Sequence, residues 1–229
     1  MTTNIPSEIS AVLEKIFIDT KPISIFLYGS QTQDDTTENS DFDIGVIYSS
    51  ITKVSRQELA KYHNIKNLEI YPFVLEDLQS QNIDTPFPKA INIKILIDYA
   101  VTLKGDDILK TISSPTLTKT DLLEQINFNL GRAFSAILSN RHGDSVTCVE
   151  NFTKSVFHSF MVLIFLRQNI FTTSYKKIIE LSKNLEIKSE YLDLLTHADQ
   201  VRNANAPVDV PKLYKNITFS NFVRSEILK

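Results

Sequence analysis

The chain has 229 residues, 42% hydrophobic and 22% charged, enough for two modest domains or one large one around an ordinary core. A net charge of −3, with no run or stripe of Lys and Arg, disfavours a long polynucleotide partner, which would require counterion release from several phosphates at once. The one cysteine, Cys148, excludes an intramolecular disulfide, and with no basic, apolar leader at the N-terminus the expected setting is a reducing cytoplasm.

In chain order, Ile9, Val12, Leu13, Ile16 and Phe17 recur at helical spacing and predict an amphipathic helix from Pro6 to Phe17. Ile23 to Tyr28 reads as a first strand. Gln31 to Ser40 contains no apolar residue and reads as a loop, after which "DFDIGVIY" resumes strand character. "RQELAKYH" predicts a short helix, "NLEIYPFVL" a third strand, Lys89 to Ile97 a helix, and "YAVTLKGDD" a short strand ending in a turn. Beyond "SSPTLTKTD" the pattern becomes helical throughout: Leu122 to Leu138, Cys148 to Leu166, Tyr175 to Leu185, Tyr191 to Ala204, and Pro211 to Leu228. The run "VFHSFMVLIFL" is too short for the roughly 20 residues that span a bilayer, so a buried core helix is expected and no membrane partner. The halves also differ in charge, −6 over residues 1–110 and +3 over residues 111–229. The expected fold class is α+β: a mixed sheet with flanking helices over residues 1–112, then an all-α helical bundle over residues 119–229.

Two acids, Asp41 and Asp43, enter a segment that otherwise reads as a buried strand. Side chains alternate faces along a strand, so both carboxylates project from one face while Phe42 and Ile44 occupy the other. Like charges so placed repel, and a divalent cation between them removes the conflict. Mg²⁺ takes oxygen ligands and keeps substrate phosphates in its shell. Upstream, Gly29 lets the backbone approach a ligand, Ser30 offers a hydroxyl, and successive loop N–H groups suit an anion. A third acid would complete such a site. Glu69, midway along the third strand, is the best candidate, with proximity to Asp41 expected. A bland reading of the same acids is a solvated strand edge, and of Gly29 and Ser30 a simple turn.

"YGSQTQDDTTENSDFDIGV" resembles the Gly-Ser, ten-residue gap, Asp-x-Asp signature of the polymerase β-like nucleotidyltransferases, whose smaller members include antibiotic-modifying enzymes and minimal nucleotidyltransferases. "AVTLKGDDIL" resembles the strand and turn that often close this domain. The resemblance implies a polymerase β-like mixed sheet. It implies Gly29 and Ser30 at the nucleoside triphosphate, Asp41 and Asp43 as ligands of two Mg²⁺ ions, and Glu69 as third ligand or general base. The expected activity is transfer of a nucleoside monophosphate from an NTP, ATP foremost, to a hydroxyl of a small molecule or protein, with release of pyrophosphate. Small members of the family are often homodimers. The helical half resembles HEPN-like bundles, chiefly over "ENFTKSVFHSFMVLIFLRQNIFTTSYKKIIEL", but Arg202 is followed by no histidine, which argues against ribonuclease activity.

Lys154 is assigned as a phosphate-binding residue, and Lys154 and Arg132 are candidates to meet charge developing on a pyrophosphate leaving group. A solvated helix position is the plain alternative for each. His63, His142, His158 and His197 lack zinc-ligand spacing. The loop has Gln31, Gln33 and Asp34 where small family members commonly carry arginine and glycine. This motivates a rival of another class, a catalytically silent binding or regulatory protein of the antitoxin type that retains the fold.

Overall fold

The computed structural model describes residues 5–33, 36, 41–50, 59–62, 67–204 and 206–229. It divides into two compact units, Met1–Thr116 and Leu117–Lys229.

The first unit is α+β. Helix α1 (Ser7–Thr20) leads into β1 (Ser24–Tyr28), a 3₁₀ turn (Gly29–Thr32) and β2 (Phe42–Tyr48). Then come β3 (Leu68–Val74), the short α2 (Leu75–Gln79), α3 (Lys89–Tyr99) and β4 (Val101–Gly105). The strands form one mixed sheet in the order β3-β2-β1-β4, with β1 antiparallel to both β2 and β4 and β2 parallel to β3. Pro72 can sit inside β3 because that strand is at the sheet edge, where a missing N–H breaks no ladder on its outer side.

Strand alternation divides the core in two. Ile25, Leu27, Ile44, Val46, Leu68 and Ile70 point to one face and pack under Ile9, Leu13 and Ile16 of α1. Phe26 and Ile47 point to the other and pack with Ile93 and Leu96 of α3 and with Leu78, Ile83 and Leu109. Each such fully buried side chain stabilises the fold by about 1.5–3 kcal/mol. Between these apolar positions Gly45 leaves a gap that Phe26 fills: a β-carbon there would lie 2.0 Å from the Phe26 ring. Gly45→Ala is therefore expected to destabilise the first unit by about 1–3 kcal/mol through overpacking. Its thermal melt checks this, and Phe26→Leu in the same chain should restore part of the loss.

The second unit is all helical: α4 (Lys119–Arg141), α5 (Ser145–Gln168), α6 (Tyr175–Ser182), α7 (Ser189–Ala204) and α8 (Val210–Leu228). At two of these, side-chain caps set the start. Thr118 and Asp121 form a reciprocal capping box at α4, and Asp144 accepts from the Thr147 N–H at 3.0 Å to start α5. Residues 156–166 are the core helix expected, with Val156, Phe157, Phe160, Met161, Val162, Leu163 and Ile164 all buried. Among the described residues no helix is long and apolar enough to cross a membrane.

A polar ladder runs through this apolar core. Gln125 donates to Asn129 at 2.8 Å, Asn129 donates to Ser159 at 3.3 Å, and the hydroxyls of Ser159 and Ser220 lie 3.1 Å apart. The Ser155 hydroxyl stands 2.8 Å from the Asn129 carbonyl oxygen and 3.3 Å from Asn216 Oδ1. Every one of these residues is buried, and the ladder ties α4, α5 and α8 together.

The observed elements extend the sequence-based ones by one to four residues at several ends. Two differences go further. The residues after Tyr28 turn at once into 3₁₀ geometry, with Thr32 Oγ1 donating to the Gly29 carbonyl at 2.9 Å. Leu75–Gln79 forms the short α2, where "NLEIYPFVL" runs straight into a helix without a turn residue. Of "RQELAKYH", Ala60–Tyr62 is a 3₁₀ turn, and residues 56–58 and 63 lie outside the described residues.

Candidate active site

β1 ends at Tyr28, and the chain must turn sharply to leave the sheet. Gly29 makes the turn at φ +75°, in the left-handed region that residues with a β-carbon rarely adopt. It also lies against Asp43: a β-carbon on Gly29 would stand 2.2 Å from Asp43 Oδ2. One glycine thus meets two demands, the backbone turn and the space for a carboxylate. Ser30 follows within the same 3₁₀ turn, whose carbonyl at Ser30 accepts from the Gln33 N–H at 3.1 Å.

The carboxylates come from neighbouring strands. Asp43 is paired in register with Tyr28 on β1 and with Glu69 on β3. Paired residues of adjacent strands share a face and sit about 4.8 Å apart along the hydrogen-bonding direction. Glu69 is thus the ladder neighbour of Asp43, one level further along than the expected approach to Asp41. Asp41 immediately precedes β2 and is exposed, whereas Asp43 and Glu69 are half-buried. The burial gradient along β2, partly open at Phe42 and Asp43 and closed from Ile44 onward, puts these groups at the open end of the sheet.

Aromatic rings close in from the same face. Tyr28 and Tyr71 meet edge-on with centroids 6.3 Å apart, and Phe73 lies 6.3 Å from Tyr28 and 5.5 Å from Phe26. Sequence reasoning did not single out these rings as neighbours of the acids. The signal was present in the alternation Glu69, Tyr71, Phe73, which sends all three to one side.

The donors suit a hard cation such as Mg²⁺ in kind, being carboxylates and a hydroxyl. In placement, the register brings Asp43 and Glu69 side by side and Gly29 makes room for the Asp43 carboxylate. Among the described residues no three His, Cys, Asp or Glu groups are set close enough to hold a metal ion as they stand. The fit is thus a pair with Asp41 adjacent along the chain. Lys154 belongs to the second unit, where its Nζ pairs with Glu150 Oε1 at 2.5 Å one helical turn away. Asp34 and Asp35, and residues 37–40 of the loop, lie outside the described residues.

Residues 11–98 match the family Polymerase beta, Nucleotidyltransferase. A search of curated proteins by sequence finds no match. Among solved structures, the chain is similar to spectinomycin adenyltransferase from Enterococcus faecialis, crystallised with ATP and spectinomycin. The TM-score is 0.61 at 10% identity, over 97% of this chain and 98% of that one, a likeness of fold.

Proposed function

From the premise that residues 11–98 are a polymerase β-type nucleotidyltransferase domain, we propose that the protein transfers a nucleoside monophosphate from an NTP to an acceptor hydroxyl, releasing pyrophosphate. The observation that carries this reading is the register of Asp43 with Glu69, beside a glycine turn whose shape makes room for the Asp43 carboxylate.

Each residue has a part. Asp41, Asp43 and Glu69 would hold Mg²⁺, which when bound supplies charge neutralisation at the phosphates and at the attacking and leaving oxygens. Glu69, on the edge strand, takes the acceptor's hydroxyl proton as general base. Gly29 and Ser30 hold the β and γ phosphates through backbone N–H groups and the serine hydroxyl. ATP is the proposed donor and a small molecule the proposed source of the acceptor hydroxyl; in support, the spectinomycin adenyltransferase was crystallised with ATP and spectinomycin. The HEPN-like reading of the helical unit and a homodimer remain part of this proposal, as does a cytoplasmic setting.

The test is a thermal-shift titration of the full chain with ATP, GTP, CTP and UTP, each with and without Mg²⁺. Stabilisation that requires Mg²⁺ and vanishes in Asp41→Asn/Asp43→Asn is expected, since a ligand that binds only the native state raises the melting temperature. No shift with any nucleotide would overturn the two-metal site and pass the reading to the silent binding module.

A further inference from the structure

One face of α4 lies open along most of its length. Glu124, Asn127, Gly131, Phe134, Leu138 and Arg141 are all exposed, and their alternating spacing of three and four residues puts them on a single stripe. At 1.5 Å per residue the stripe runs about 26 Å along the helix axis. Its middle is apolar: Phe134 and Leu138, one turn apart, are each 54% exposed. Gly131 stands inside the helix, where glycine is among the least favoured residues. Apart from its chain neighbours and the backbone of its own helix, no described atom lies within 4 Å of where its β-carbon would be. No crowding within the chain therefore explains the missing side chain. Tyr214 of α8 borders the stripe, and Arg141 Nη2 donates to its hydroxyl at 3.3 Å.

We propose that this face of α4 binds a second copy of the chain, helix against helix and antiparallel, about a two-fold axis midway between Gly131 and Phe134. The occupant follows from the order of residues along the stripe. An antiparallel copy centred there sets Phe134 opposite the partner's Gly131, Leu138 opposite the partner's Asn127 and Arg141 opposite the partner's Glu124. Each of these pairs occurs twice, once on either side of the axis, as an isologous contact requires. The bare surface at Gly131 then has a use, since it leaves room for a phenylalanine ring as a knob enters a hole. Charge selects the direction. An in-register parallel copy would set Glu124 on Glu124 and Arg141 on Arg141, whereas the antiparallel copy sets opposite charges together at both ends.

The stripe is self-complementary in shape and in sign, so it closes on one partner and leaves no apolar face over for a third chain. Phe134 and Leu138 supply apolar area at the centre, with Glu124 and Arg141 as a polar rim. A contact built on one helix from each chain belongs to the small class of interfaces, so a dissociation constant on the order of 10 µM is expected. The homodimer named under the proposed function thereby gains a surface. That surface uses no residue at the sheet's open end, so the association and the transfer reaction can fail separately.

The test is sedimentation of the full chain from about 1 to about 300 µM, with the melt of each variant taken in dilute solution. The native chain is expected to pass from monomer to dimer within that range. Phe134→Gln, at an exposed position, should weaken the dimer at least about tenfold with an unchanged dilute melt. Gly131→Gln replaces glycine by a better helix former in open space, so the dilute melt should hold or rise while the dimer weakens at least about tenfold. Glu124→Arg and Arg141→Glu should each weaken the dimer about threefold or more, because each sets like charges together at both ends. Glu124→Arg/Arg141→Glu should return it to within about twofold of native. A native chain that stays monomeric at about 300 µM overturns the proposal and leaves the stripe to a different protein. A dimer untouched by Phe134→Gln and Gly131→Gln overturns it in favour of another surface, and a double charge variant as weak as the single ones overturns the antiparallel register.

Discussion

Asp43→Asn is expected to reduce nucleotidyl transfer by at least about 10²-fold while the melt of the protein changes little. The substitution keeps size and shape but removes the negative charge from the residue on which the proposed site converges. Asp43 is the ladder partner of Glu69, the register partner of Tyr28 and the group against which Gly29 turns. A structural role alone would be met by an amide of the same shape. Pyrophosphate release measured with radiolabelled NTP separates the two. A variant with native turnover would mean that the acid serves the sheet edge and not the chemistry, and a lost melt with lost turnover would mean that the charge holds the fold.

Gly29→Ala is expected to be nearly as damaging to activity and more costly to the fold. The added methyl would stand 2.2 Å from Asp43 Oδ2, so the carboxylate must move by about 1 Å or more, a displacement that can lower a rate by about 10²-fold. The backbone at φ +75° adds roughly 1–2 kcal/mol of strain for any L side chain. Because the damage is argued to pass through Asp43, it should not add to the first substitution. Gly29→Ala/Asp43→Asn should turn over no more slowly than Asp43→Asn alone, apart from its lower melt. Additive losses in that cycle would show that Gly29 acts independently, through the phosphate or the turn.

The sequence made the sheet's open end legible because two signals coincide there. The spacing from Gly29-Ser30 to Asp41 and Asp43 and the period-2 pattern of "DFDIGVIY" both point to acids on one strand face, and the register includes Asp43, with Asp41 just ahead of the strand. Glu69 was legible as an acid within a strand, but not as the neighbour of Asp43. Which residues pair across β2 and β3 depends on how the crossover between them closes, and that is not a local property. The fit of Gly45 beneath Phe26 was hidden for the same reason, since the two lie 19 positions apart and meet only once β1 and β2 align. In the helical half, periodicity located the five helices described, and capping residues such as Thr118 and Asp144 account for the starts of two of them. The stacking of Tyr175 on Phe157 was not visible, because helix periodicity gives a buried face but not which faces meet.

The polar ladder of Gln125, Asn129, Ser155, Ser159 and Ser220 has a consequence for alignment. A seam made only of leucine and phenylalanine lets one helix slip along another by a turn, about 5.4 Å, with modest loss, because one apolar side chain replaces the next. This seam is indexed. A one-turn slip of α5 against α4 would strand Ser155, Ser159 and the amide of Asn129 in an apolar interior, each at about 1–3 kcal/mol. Asn129 is one turn from Arg132, and Ser155 and Ser159 each follow directly after Lys154 and His158. The ladder therefore works as a vernier for its neighbours, setting which turn of α5 faces which turn of α4.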